Sequence, residues 1–112
     1  MKLEEIVKII TSDLNLNISE QIEFKNQFME LFVYNLLLNI PDQYKDGIEN
    51  LMNDSVLRNQ IILVEKITTL GVIKEEATNF INDSIKKSIS EVIRKYDDVF
   101  SPATKDRLQG YI

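Results

Sequence analysis

Residues 28–40 read FMELFVYNLLLNI, and Pro41 follows. The apolar residues do not alternate with polar ones, and the run exceeds the usual strand length, so it reads as a helix. Proline disfavours helical backbone in the residue before it, which places the end near Asn39. Upstream, Asn17 or Ser19 supplies a cap, and Glu20 stands three residues after Asn17 in capping-box register. At about 100° per residue the helix has two apolar faces. The larger holds Ile22, Met29, Phe32, Val33, Leu36, Leu37 and Ile40; the smaller holds Phe24, Leu31, Tyr34 and Leu38, with Phe28 at its edge. Glu23 and Glu30 form one polar seam between them, and Gln21, Asn35 and Asn39 form the other. The acidic seam argues against membrane insertion. The larger face is expected to pack on the chain's own helices. The smaller is expected to be covered by another helix of the chain or by a second protomer, which makes Phe24, Leu31, Tyr34 and Leu38 the candidate partner-facing residues.

Apolar spacing of i, i+3/i+4 recurs on both sides of this segment, and alternating strand patterns are essentially missing. A first helix is expected over Leu3 to about Thr11, with SDLNLN as a break. A third runs from Pro41 to about Asn53, weakened by about 1 kcal/mol at Gly47. A fourth, capped by Asp54 or Ser55, spans Val56 to Leu70 with Val56, Leu57, Ile61, Leu63, Val64, Ile67 and Leu70 inward, and Gly71 as a left-handed terminator. The fifth runs from Lys74 towards Val99 on a stripe of Ala77, Ile81, Ile85, Ile89, Val92, Tyr96 and Val99. Its spacings do not alternate 3 and 4, so it fits a globular bundle better than a zipper. Near the end, SPATKDRLQG has Ser at the cap, Pro in the first turn and Gly as a stop. The expected architecture is all-α, a compact bundle of five to six helices in one domain over residues 1–112, with the hydrophobic second helix central.

Composition narrows the chemistry. The 112 residues include no Cys, His or Trp. Thiolate and imidazole metal sites, disulfides and most hydrolytic triads are therefore excluded. No nucleophile–base pair and no glycine-rich phosphate loop is present, so no catalytic, cofactor-binding or metal-binding residue is assigned and no cofactor is expected. The net charge is −5, a balance that argues against general affinity for a phosphate backbone. The charge is uneven: residues 1–56 carry four Lys against ten Asp and Glu, whereas residues 57–112 carry nine Lys and Arg against eight acids. This asymmetry fits two halves that attract each other across one core, or an acidic face for a basic partner.

Three motif-like stretches carry little. DQYKDGIENLMN (42–53) matches a calcium loop at Asp42, Asp46 and Gly47, but Tyr44 and Asn53 stand where oxygen ligands are needed. Lys86, Lys87, Arg94 and Lys95 make the outer side of the fifth helix basic, yet Glu91, Asp97 and Asp98 intervene. The sequons at Asn17, Asn53 and Asn82 matter only in a secreted chain, and Glu4 and Glu5 interrupt the N-terminal segment in a way no secretory signal shows. No stretch approaches the ~18 continuous apolar residues of a membrane span. These features predict a cytoplasmic, non-catalytic helical module that binds a protein partner or a second copy of itself, without membrane or direct nucleic-acid binding. The alternative is a small acidic regulator or inhibitor of a nucleic-acid-handling partner.

Overall fold

The computed structural model describes residues 2–51 and 60–111. It is an all-α bundle: α1 (Lys2–Leu14), α2 (Ile18–Asn39), a 3₁₀ turn (Asp42–Tyr44), α3 (Lys45–Leu51), α4 (Gln60–Thr68), α5 (Lys74–Lys95) and α6 (Pro102–Gln109). Among the described residues there is no strand.

Helix boundaries follow from local chemistry. α1 runs three residues past the expected Thr11, through Ser12, Asp13 and Leu14. Ser12 Oγ donates to the Lys8 carbonyl at 2.7 Å, so a residue read as a breaker satisfies its hydroxyl without leaving the helix. Asn15 then takes a left-handed conformation, φ 53°, which Asn tolerates better than most side chains, and ends the helix. Asn17 caps α2 with a complete capping box: its Oδ1 accepts from Glu20 N at 2.8 Å, and its own N–H donates to Glu20 Oε1 at 3.2 Å. Ile40 and Pro41 are extended beyond α2. The third helix therefore begins at Lys45, after the 3₁₀ turn, and not at Pro41.

The cap and first residues expected of the fourth helix, Asp54 to Leu57, lie outside the described residues, as does Met52 of the third helix's stripe. Within α4, Leu63, Val64 and Ile67 are buried, but Ile61, expected inward, is exposed. At about 100° per residue Ile61 lies about 60° off the arc that the three buried residues define. Gly71 terminates the segment at φ +100°, and Val72 is buried beside it. α5 stops at Lys95, short of the expected Val99. Arg94 and Lys95 suit the negative end of the helix dipole, whereas Asp97 and Asp98 oppose it. The N–H groups of Val99 and Phe100 both bond the Tyr96 carbonyl in a closing turn, which leaves Val99 exposed and Phe100 buried.

The core draws on every helix. Leu3, Ile6 and Ile10 of α1, Phe28, Phe32 and Leu36 of α2, Ile48 of α3, Leu63 and Ile67 of α4, Ile81, Ile85 and Ile89 of α5 and Leu108 of α6 are fully buried in one cluster. Each such side chain contributes about 1.5–3 kcal/mol relative to exposure. Gly47 lets α3 come close to the end of α4: a Cβ there would stand 2.8 Å from Leu70 Cδ2. α1 is tied to the C-terminal segment, where Asp13 Oδ2 accepts from Ser101 N at 2.8 Å at the start of α6. Tyr111 Oη donates to Glu5 at 3.2 Å.

The most extensive packing joins α2 to α5. The two run antiparallel, because Phe24 meets Tyr96, Asn35 meets Ser88 and Asn39 meets the Phe80 carbonyl. No helix among the described residues is long and apolar enough to cross a membrane.

Candidate interaction surface

The sector of α2 that faces α5 determines which of its apolar residues remain open. Asn35, expected on a polar seam at the surface, is 1% exposed. Its Nδ2 donates to Ser88 Oγ at 2.9 Å, Ser88 Oγ donates to the Ser84 carbonyl at 2.7 Å, and Ser84 Oγ donates to the Phe80 carbonyl at 2.6 Å. Asn35 Oδ1 is buried and has no hydrogen-bond partner. Asn35 thus points into the bundle while Gln21 and Asn39 of the same seam stay exposed, and both apolar faces are buried where they flank Asn35. Met29, Phe32, Leu36 and Ile40 of the larger face are covered, Val33 and Leu37 are half-buried, and Ile22 is exposed, contrary to the expectation that the whole face packs inside.

The smaller face is divided. Phe24 is buried by the chain itself, with its ring 6.0 Å from that of Tyr96, which in turn stacks at 5.8 Å on Phe100. Tilted aromatic pairs at these spacings contribute beyond simple burial. Lys95 Nζ adds a cation over the Tyr96 ring at 5.4 Å. Phe24 is therefore removed from the candidate partner-facing set. Leu31 is half-buried, while Tyr34 is 60% and Leu38 is 53% exposed. Residues 31, 34 and 38 follow 3-then-4 spacing on one line of the helix, the geometry that an apolar stripe on another helix reads.

Two hollows mark the join between this line and α5. One, of about 380 Å³, is lined by Gln27, Leu31, Glu91 and Lys95 among others. The second, of about 180 Å³, is lined by Asn35, Leu38, Asn39, Asp83, Ser84 and Lys87. Glu23 and Glu30 flank the apolar line on its other side. A larger hollow of about 450 Å³ lies between α1 and α2, where Ile18 and Ile22 are exposed beside Glu4, Lys8 and Lys25.

Among the described residues no three acidic side chains converge to hold a metal. Asp42, the first position of the calcium-loop resemblance, pairs with Lys45 at 2.5 Å. The Lys45 ammonium, through that hydrogen bond and its charge, holds the Asp42 carboxyl below its usual range. Among the basic residues of α5, Lys86, Lys87, Arg94 and Lys95 are all exposed. No protein-family model matches the sequence, and neither a curated protein nor a solved structure gives a significant match.

Proposed function

We propose that the chain is a non-catalytic protein-interaction module whose docking surface is the open line of α2 formed by Leu31, Tyr34 and Leu38. The observation that carries this reading is the exposure of Tyr34 and Leu38, one turn apart, on a helix whose other large apolar side chains are mostly covered. Leaving both partly in water forgoes about half of the ~1.5–3 kcal/mol that full burial of each would contribute, a cost that a partner removes. Tyr suits such a place because its ring is apolar while its hydroxyl stays wet.

The test is site-specific photocrosslinking in the native host. A photoreactive phenylalanine analogue at position 38 is expected to give a discrete protein adduct. The same group at Asn79, which is exposed on α5, is expected to give none. Equal labelling at both positions, or none at position 38, would remove the reading.

A further inference from the structure

Asn35 has no part in the docking line, yet it is the most deeply buried polar side chain of α2. Its amide is 1% exposed and lines the hollow of about 180 Å³ between α2 and α5, with Leu38, Asn39, Asp83, Ser84 and Lys87. The Ser88 hydroxyl gives its hydrogen to the Ser84 carbonyl at 2.7 Å, so towards Asn35 its oxygen only accepts, and Asn35 presents Nδ2 to it. Ser88 does not line the hollow. The donor end of the amide is therefore turned away from the hollow, and the end turned towards it is Oδ1, which is buried without a partner.

The other polar groups of the lining are biased the same way. Ser84 Oγ donates to the Phe80 carbonyl at 2.6 Å, and Asn39 Nδ2 gives a hydrogen to the same carbonyl at 3.4 Å. What remains is chiefly lone pairs, on Asn35 Oδ1, Ser84 Oγ, Asn39 Oδ1 and the Asp83 carboxylate. From this excess of acceptors we infer that the hollow binds a small primary ammonium ion, an alkylamine of about four to six heavy atoms, whose N–H groups meet Asn35 Oδ1, Ser84 Oγ and the Asp83 carboxylate while its carbons lie against Leu38.

A buried acceptor without a donor costs stability, and binding sites are where a fold keeps such a cost. An ammonium group removes it. An anion would meet the Asp83 charge and the same lone pairs, and a purely apolar ligand would leave the amide unpaired. Lys87 is the one cation on the rim; it stands four residues after Asp83, is exposed, and forms no ion pair with it. Oδ1 is covered by its neighbours, so entry requires the exposed side chains of Leu38 and Lys87 to turn aside, a rotamer change that surface residues make readily. The site does not depend on the docking line, although Leu38 belongs to both.

Titration of the ¹⁵N-labelled protein with n-butylammonium chloride, followed by heteronuclear NMR, tests the inference. Potassium chloride and sodium butyrate at the same ionic strength are the controls, and the dispersion of each variant's spectrum verifies its fold. The wild type should show saturable shifts centred on the Asn35 side-chain amide and the backbone amides of Asp83 to Lys87, with a dissociation constant on the order of 1 mM for so small a ligand. Asn35→Leu should abolish them, and Asp83→Asn, at an exposed position, should weaken binding roughly tenfold. Lys87→Met should tighten binding about threefold by removing a like charge. A wild type without saturable shifts up to about 50 mM overturns the site, as does an equal response to potassium or to butyrate. Unchanged binding by Asn35→Leu removes Oδ1 from it, and weaker binding by Lys87→Met overturns the ammonium as ligand, since Lys87 would then be serving an anion. None of these results bears on the adduct at position 38, so the docking reading stands or falls separately.

Discussion

Replacing Asn35 by Leu should make the protein more stable, although it deletes a buried hydrogen bond. Asn35 is 1% exposed, donates once to Ser88 at 2.9 Å, and leaves Oδ1 buried without a partner. The lost bond costs about 1 kcal/mol net, whereas removing an unsatisfied buried acceptor returns about 1–3 kcal/mol. A buried Leu adds about 1.5–3 kcal/mol of apolar burial, less up to about 1.5 kcal/mol for imperfect fit against Ser84 and Ser88. Ser88 is not orphaned, because its hydroxyl still donates to the Ser84 carbonyl. The net expectation is a gain of about 1–3 kcal/mol, or roughly 5–10 °C in Tm for a chain of this size. Urea unfolding and calorimetry on the same variants measure it. Ser88→Ala should do the opposite, costing about 1–3 kcal/mol, because it strands the Asn35 amide entirely. The Asn35→Leu/Ser88→Ala pair should recover most of that loss, so the two changes are strongly non-additive. A destabilised Asn35→Leu variant would refute the reasoning by implying that Oδ1 has a donor, and a neutral Ser88→Ala would refute it by implying that Nδ2 has another acceptor.

Asn17→Ala should cost about 1 kcal/mol, read from denaturant midpoints, by removing the side-chain acceptor of the α2 capping box while leaving the backbone N–H that donates to Glu20. Gly71→Ala should cost about 1–2 kcal/mol through its positive φ alone, because nothing lies within 4 Å of the new Cβ; Gly71→Asn should cost less. The Tyr111 hydroxyl is pushed above its ordinary value of 10.0, first by partial burial and then by the Glu5 carboxylate that accepts its hydrogen bond. A raised folded-state value means a stabilising contribution that is whole below the ordinary tyrosine value and lost as pH rises through the folded one. In an ultraviolet titration, the component that Tyr111→Phe removes should therefore lie above pH 10, and Glu5→Gln should move it only part-way back.

The punctuation of this fold was legible because it is local. The Asn17–Glu20 box, Gly71 and the Ser101–Pro102 start each declare themselves within four residues, and each forms as read. Features that depend on which helices meet were not legible. Asn35, Ser84 and Ser88 are polar by type and buried by placement, and only the antiparallel seating of α2 on α5 reveals that they answer one another. A period-3.6 pattern that included small hydroxyl residues would have caught Ser84 and Ser88 between Ile81, Ile85 and Ile89. Which of the two covers Phe24 receives, another helix or a second protomer, is not written near it, because Tyr96 and Phe100 arrive from more than 70 residues away. Gly47 read as a weak point in a helix, whereas its missing side chain makes room for Leu70.

The ties between α1 and the C-terminal segment span most of the chain: 88 residues separate Asp13 from Ser101, and 106 separate Glu5 from Tyr111. Closing loops of that length costs entropy before any contact repays it, so this clasp belongs to the late steps of folding. Its polar bonds lie in exposed or part-buried surroundings, whereas the α2–α5 pair holds the buried Phe24 to Leu36 stretch. The molecule should therefore open from its clasp first. Amides of α6 should exchange with solvent ahead of those in α2 and α5, and a strain that pulls on both ends would release α1 and α6 while the antiparallel pair stays shut.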